Sequence, residues 1–177
     1  EISSGANSTL TIMGTAGQDN LAYTPTGATA GAVTLTGAKP LINFTGVGST
    51  FAIDPTSGND SVSFNGSSVK DTITAFRSGA NTLIQLTPLK ALTLPTANTE
   101  ALLVFGGLGD DQLNVNVGGA IGSDVIGIPI TFDGGPGSDL VDVFGAPPTA
   151  VDEVIFSPGP AIGEGRMRYE NAANASL

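Results

Sequence analysis

Hydrophobic and polar residues alternate along this chain in short runs, and an Asp introduces many of the runs. In each copy of this unit the second and fourth residues after the Asp are apolar, and Gly stands two residues before the Asp in five of the seven copies. A period of two places the apolar side chains on one face of a β-strand. Gly permits a turn with positive φ, and Asp hydrogen-bonds nearby backbone. Each copy therefore predicts a turn followed by a half-buried strand. The Asp residues are Asp19, Asp60, Asp71, Asp111, Asp124, Asp139 and Asp152.

The spacing of these Asp residues predicts how the strands stack. Their successive separations are close to one or three multiples of a common step of about 13 residues, the length of a short strand pair with its turns. Two steps make a coil of roughly 26–28 residues. Asp111 and Asp139 are separated by one such coil, as are Asp124 and Asp152, so we expect two Asp ladders on opposite edges of the stack. The pattern predicts an all-β protein, a β-solenoid resembling a parallel β-helix.

A longer period of roughly 52 residues is also present, since it separates Asp19 from Asp71 and, to within one residue, Asp60 from Asp111. Further short apolar runs, punctuated by Gly, Pro, Asn or Ser, lie between the repeat units. Short strands at this spacing are also typical of a β-sandwich, which is the alternative fold. No helix is predicted. Residues 167–173 have helix-tolerant composition, but the alternation at 166–169 favours a strand.

Composition narrows the class of protein. Apolar residues make up 40% of the chain and charged residues 12%, which is unlike a helical protein stabilised by ion pairs. The net charge of -10 would repel phosphate backbones, so nucleic-acid binding is not expected. Without a run of about 18 apolar residues, membrane insertion is not expected either. The sequence is strand-like at both termini, as in a segment taken from a longer polypeptide. We therefore expect 1–177 to be a single all-β repeat segment of a longer chain or assembly.

Two copies of the unit, at 106–114 and 134–142, have the form Gly-Gly-x-Gly-x-Asp. This resembles the nonapeptide of the calcium-binding repeats-in-toxin family, in which glycine carbonyls and an Asp carboxylate bind Ca²⁺ between stacked turns. In that family the nonapeptides follow one another directly, whereas here the two copies are one predicted coil apart. The alternative is a pair of tight glycine turns capped by Asp, without metal. The calcium ligands that the resemblance implies are Gly107, Gly109, Asp111, Gly135, Gly137 and Asp139.

The wider pattern, for example the segment 41–48 leading to Asp60, resembles long tandem-repeat surface proteins of environmental bacteria. The resemblance implies an extracellular or cell-surface location and a structural or adhesive role. The open ends of an uncapped solenoid have exposed strand edges, so we expect copies to associate head to tail in a filament or surface layer. A carbohydrate or cell-surface partner is left open. A calcium-dependent binding module is the first alternative to this function. Cys is absent, so disulfides do not stabilise the fold.

Catalysis is not expected. The chain has no His, which excludes Ser-His-Asp and Cys-His nucleophiles. A second alternative function is a polysaccharide-active β-helix enzyme, in which Arg166 and Arg168 share a strand face and contact a sugar carboxylate. Asp110 and Asp111 are adjacent and belong to a turn, so they do not suggest a glycosidase pair. Glycosylation is left open at five Asn-x-Ser/Thr sites: Asn7, Asn43, Asn59, Asn65 and Asn174.

Overall fold

The computed structural model describes residues 2, 3, 5, 7–35, 41–116, 126–144, 153–158 and 165–170, the last two segments by their backbone only. These residues form strands and one 3₁₀ turn, Thr96–Asn98, with no α-helix among them, so the predicted all-β class is confirmed. The strands are β1 Ile2–Ser3, β2 Leu10–Met13, β3 Asn20–Gly27, β4 Ala30–Leu35, β5 Ile42–Thr45, β6 Phe51–Asp54, β7 Ser61–Ser67, β8 Thr72–Ser78, β9 Asn81–Leu86, β10 Leu92–Pro95, β11 Ala101–Gly107, β12 Gln112–Asn116, β13 Ile130–Asp133, β14 Leu140–Phe144, β15 Glu153–Pro158 and β16 Gly165–Glu170.

Two mixed sheets of seven strands each contain β1 to β14. Sheet A has the order β1-β5-β4-β3-β7-β11-β13, and sheet B has the order β14-β12-β8-β9-β10-β6-β2. The strand β4 is antiparallel to both of its neighbours in sheet A, and β9 is antiparallel to both of its neighbours in sheet B. All other pairings in the two sheets are parallel. Six strands of each sheet therefore run in one direction.

The parallel pairings give the repeat length. In sheet A, Leu21 lies beside Val62, Val62 beside Leu102, and Leu102 beside Ile130, so the residue number rises by 41, then by 40, then by 28. In sheet B the offset is 40 between β8 and β12 and 28 between β12 and β14. The prediction of one uniform short coil is therefore wrong for all but the last repeat. The longer predicted period, from Asp19 to Asp71, is also wrong, because no parallel neighbours have that offset in the described backbone.

The longer repeat has a structural cause. Between β8 and β11 the chain forms two strands, the reversed β9 and then β10, which the predicted short coil did not include. Equivalent positions are therefore separated by three of the predicted steps of about 13 residues instead of two. Between β12 and β13 no strand is assigned in the described residues, and the offset is correspondingly smaller. The predicted pair Asp124 and Asp152 lies outside the described residues. The strand expected at 166–169 is confirmed as part of β16, which pairs only with β15.

The inner faces of the two sheets form one hydrophobic cluster, as the alternation predicts. Its largest members are four aromatic residues, Tyr23, Phe44, Phe51 and Phe64, all fully buried. The Tyr23 ring centroid is 4.7 Å from that of Phe51 and 5.7 Å from that of Phe64. Such ring pairs stabilise a fold by about 0.5–1.5 kcal/mol beyond the area that they bury. The aromatic cluster therefore ties sheet A, through Tyr23, to sheet B, through Phe51.

Two local features fix the position of Tyr23. Its hydroxyl donates a buried hydrogen bond of 2.8 Å to the carbonyl of Lys90, whose ammonium in turn donates to the carbonyls of Gly48 and Ser49. Gly31 on β4 makes room for the ring, because a Cβ there would lie 2.5 Å from Tyr23 Cε2 and 2.8 Å from an atom of the Phe44 ring. The reversed strand β4 can therefore pack against the aromatic cluster at this position only because residue 31 is glycine.

Replacing Gly31 with Ala is expected to lower the free energy of unfolding by about 2 kcal/mol, because rigid rings leave no space for the methyl group. The matched control is Gly27→Ala at the end of the preceding strand, where a Cβ would meet only Ala30 Cβ at an ordinary 3.5 Å. Urea denaturation followed by circular dichroism measures both. Equal stability of the two variants would contradict this packing.

Burial raises the pKa of Tyr23 well above its ordinary value. The unfolded chain releases this proton above about pH 10 while the folded chain keeps it, so stability is lost as pH rises beyond that point. Tyr23→Phe is expected to be less stable by about 1 kcal/mol at pH 8, from the lost hydrogen bond. The difference should shrink between pH 10 and 11. A difference that stays constant in urea titrations over this range would be the contrary result.

Candidate functional site: two ladders of stacked turns

Six turns of six residues each connect the two sheets and stack in two columns. The first turn ladder comprises 14–19, 55–60 and 95–100, which lead into β3, β7 and β11. The second turn ladder comprises 66–71, 106–111 and 134–139, which lead into β8, β12 and β14. Every turn ends in an acidic residue, and four of the six begin with Gly. The Asp residues that the sequence analysis placed before strands therefore occupy equivalent positions.

In the first turn ladder the acidic side chains of the second and third turns, Asp60 and Glu100, each bind the backbone of the turn before. The Asp19 N–H donates to Asp60 Oδ1 at 2.7 Å, and the Asp60 N–H donates to Glu100 Oε2 at 2.7 Å. Glu100 thus takes the role of Asp in the third turn. Hydrogen bonds from backbone N–H groups to carboxylates are short and about twice as strong as neutral ones. The side chain of one repeat therefore holds the main chain of the repeat before it.

The second turn ladder repeats this arrangement. The Asp71 N–H donates to Asp111 Oδ1 at 2.7 Å, and the Asp111 N–H donates to Asp139 Oδ1 at 2.9 Å. The predicted stacking of Asp111 and Asp139 is confirmed. These two bonds span 40 and 28 residues, so the ladder continues across the change in repeat length.

The first rung of each ladder satisfies its carboxylate within its own turn. Asp19 Oδ2 accepts the N–H of Thr15 at 2.5 Å and the hydroxyl of Thr15 at 3.0 Å. Asp71 Oδ2 accepts the N–H of Ser67 at 2.5 Å, and Asp71 Oδ1 accepts the Ser67 hydroxyl at 3.0 Å. A Thr or Ser four residues before the Asp thus closes the turn.

The middle rungs lack this closure. Asp60 Oδ2 and Asp111 Oδ2 are buried and have no hydrogen-bond partner. In the turn of Asp60 the corresponding N–H, of Thr56, donates instead to Asp54 Oδ1 at 3.0 Å. In the turn of Asp111 the corresponding residue is Gly107, which has no hydroxyl. A buried carboxylate oxygen without a donor is costly, by about 1–3 kcal/mol or more.

The glycine that begins a turn is required by close approach. A Cβ on Gly106 would lie 2.5 Å from Asp111 Oδ2 and 2.7 Å from the carbonyl oxygen of Gly134, and one on Gly66 would lie 2.2 Å from the carbonyl oxygen of Gly106. Successive turns therefore meet backbone to backbone at this position. The sequence interpretation included this Gly only in the two full glycine motifs, as Gly106 and Gly134. The overlooked signal is that a Gly also stands five residues before the Asp in two other copies, at Gly14 and Gly66.

The structure places the six predicted calcium ligands in two neighbouring turns of the second ladder. Gly107, Gly109 and Gly135 have positive φ, as tight glycine turns require. A Cβ on Gly135 would lie 2.1 Å from the carbonyl oxygen of Gly107, and one on Gly137 would lie 1.7 Å from that of Gly109. The carbonyls of the two glycines thus lie against the glycines of the next turn. No group of three or more acidic, His or Cys side chains suited to a metal ion occurs among the described residues.

The remaining candidate residues lie elsewhere. Asp110 is exposed in its turn, and its Oδ1 accepts the N–H of Ser138 at 3.0 Å. The side chains of Arg166 and Arg168 lie outside the described residues, as does Asn174. The glycosylation sites Asn7, Asn43 and Asn59 are exposed, while Asn65 is half-buried and donates to Thr24 Oγ1 at 3.0 Å.

The middle rung of the second turn ladder is tested by Asp111→Ala. Removing Asp111 Oδ1 leaves the buried N–H of Asp71 without an acceptor, while removing the unpartnered Oδ2 relieves part of that loss. The free energy of unfolding should therefore fall by about 1 kcal/mol. The control is Asp110→Ala in the same turn, whose exposed hydrogen bond should contribute no more than about 0.5 kcal/mol. Chemical denaturation distinguishes the two, and an Asp111→Ala chain as stable as the control would exclude the ladder as a source of stability.

Comparison with known proteins adds no relative to these observations. No family model, curated protein or solved structure matches the chain. Among the described residues, no helix has the length and apolar character needed to cross a bilayer.

Proposed function

We propose that this chain is an extracellular structural or adhesive repeat module that assembles with further copies of its repeat into a filament or surface layer. The observation that supports this proposal best is the use of the acidic side chains. In both turn ladders their oxygens bind the backbone of a neighbouring repeat instead of converging on a cavity. The chain thus uses its acidic residues to hold repeat to repeat, which is the interaction that an extended architecture needs.

We further propose that the architecture is a β-solenoid rather than a β-sandwich. Parallel pairing of equivalent strands favours a solenoid, because each repeat contacts chiefly its neighbours. The offset in residue number is 40 or 41 at the earlier junctions and 28 at the last one in each sheet. The reversed strands β4 and β9 are the feature that a sandwich would share. No reaction belongs to the proposal, since the sequence contains no His and the acidic residues of the ladders are engaged with backbone.

An extracellular location is supported by composition. Solubility rests on abundant polar uncharged residues and a net charge of -10. The exposed glycosylation motifs at Asn43 and Asn59 would be accessible to surface modification.

The proposal predicts concentration-dependent self-association of the purified chain. Sedimentation velocity across a hundredfold concentration range should show species larger than the monomer, and electron microscopy should show linear or layered particles. Added NaCl should promote assembly, because it screens repulsion between copies of equal charge. Dispersed monomers under all of these conditions would refute the assembling role.

A second candidate function, a calcium-dependent binding module, is supported by the unpartnered oxygens of Asp60 and Asp111. A cation beside such an oxygen would offset its burial, and Ca²⁺ prefers carboxylate and carbonyl oxygens. In the second turn ladder the residues that would hold Ca²⁺ are the six ligands implied by the resemblance to the repeats-in-toxin family: Gly107, Gly109, Asp111, Gly135, Gly137 and Asp139. When bound, the ion would supply positive charge to two stacked acidic turns and so order them.

Calcium dependence is tested by calorimetric titration and by melting with and without chelator. Calcium at a hundredfold excess over its dissociation constant should raise the free energy of unfolding by about 2.7 kcal/mol. Asp111→Asn should abolish the effect at the second ladder, while Asp142→Asn on the outer face of β14 should retain it. An unchanged melting temperature in millimolar calcium would rule this candidate out.

A further inference from the structure

We infer that the β13–β14 end of one molecule docks against the β1–β2 end of a second copy, so that sheets A and B both continue from copy to copy. This inference rests on the proposed assembling function and names the two surfaces that meet. The β13–β14 end is defined here by Ile130–Asp133 and Leu140–Phe144, and the β1–β2 end by Ile2–Ser3 and Leu10–Met13. These four strands are the edges of the two sheets.

Strand direction makes the two ends compatible. Because β4 is antiparallel to both β3 and β5, the strands on either side of it run the same way, and β1 is therefore parallel to β13. The same argument through β9 makes β2 parallel to β14. A second copy added by translation would therefore meet the first with parallel strands in both sheets at once. Within one molecule, equivalent strands of successive repeats pair in the same parallel way.

The β13–β14 end exposes side chains that are buried in every inner repeat. Val141 occupies the same rung as Leu113 and Ile73, yet it is 43% exposed while those two are 1% and 0% exposed. Phe132 of β13 is only half-buried, whereas Val104 and Phe64 on its rung are fully buried. The inner face thus continues to the edge, where no further strand of the described residues covers it.

The β1–β2 end shows the same loss of cover. Ile2 is 40% exposed beside Phe44, which is 1% exposed. Leu10 and Ile12 are half-buried beside Phe51 and Ile53, which are fully buried. Both ends are therefore apolar on their inner face, and in the described part of the chain no further layer of strands packs beyond either end.

The occupant that fits both ends is another copy of this chain. In the described backbone β15 and β16 pair with each other, and β13 and β14 each keep one edge without a strand. Exposed parallel edges are templates for strand addition. Because the two surfaces differ, the contact is heterologous. Because the second copy is added by translation, the contact repeats without closing into a ring and produces a linear fibre.

The inference is tested with one charge at each end. Val141→Lys places an ammonium on the inner face of β14, and Ile12→Lys does so on β2. Each variant alone should be monomeric at concentrations where the wild-type chain assembles, with association weakened at least tenfold. An equimolar mixture should form a dimer and stop, because each variant retains the end that the other has lost. The controls Leu140→Lys and Thr11→Lys carry the same charge on exposed outer-face positions and should assemble like the wild type.

Sedimentation velocity and electron microscopy measure assembly, and far-ultraviolet circular dichroism with urea denaturation checks that each variant is folded. The dimer in the mixture also reports folding of both variants. If the wild type assembles and both inner-face variants assemble equally well, the end-to-end contact is overturned while the assembling function stands. If the wild type stays monomeric, the inference and the proposed function both fail.

Discussion

The hydrogen bond from a backbone N–H to the acidic side chain of the next repeat is the interaction on which the rest of this structure depends. It joins residues 28 to 41 positions apart at the point where the chain enters each new strand. A hydrogen bond to a charged group contributes about 1.5–3 kcal/mol, enough to fix which residue of one repeat lies above which residue of the next. Since side chains alternate between faces, this register also decides which residues face the core.

The ladders carry a cost that organises the remaining features of the site. Four of the stacked acidic residues, Asp19, Asp60, Asp71 and Asp111, are buried, and at Asp60 and Asp111 one carboxylate oxygen has no donor. Glycine at the start of the turn lets the backbones approach, and the Thr or Ser that follows it in the first rungs supplies donors to the carboxylate. Under the calcium proposal, the middle rungs are the positions at which a bound cation would offset the burial of a carboxylate oxygen.

Much of the local structure could be predicted from the sequence. The alternation after each Asp identified the strands, and the regular spacing of the two full glycine motifs identified the contact between Asp111 and Asp139. The general repeat length was wrong because spacing alone does not reveal that the chain reverses at β4 and β9, which adds a step to each repeat. At β4 the reversed strand packs closely through Gly31 on Tyr23 and Phe44, a contact between residues that share no motif. Glu100 was missed for a similar reason, since a Glu in the Asp position breaks the pattern while it preserves the hydrogen bond.

Strand direction connects this local chemistry with assembly. Each reversed strand is antiparallel to both of its neighbours, so the strands on its two sides run in the same direction. The two edge strands of each sheet are therefore parallel to each other. The alignment of equivalent strands along each sheet requires the register that the two turn ladders set. The most direct test is nuclear magnetic resonance detection of scalar coupling across the hydrogen bond between the Asp71 amide nitrogen and the Asp111 side-chain carboxyl carbon. If the ladders set the register, a coupling is measurable there and between Asp19 and Asp60. Rapidly exchanging amides without such couplings would show that these hydrogen bonds do not hold the repeats together.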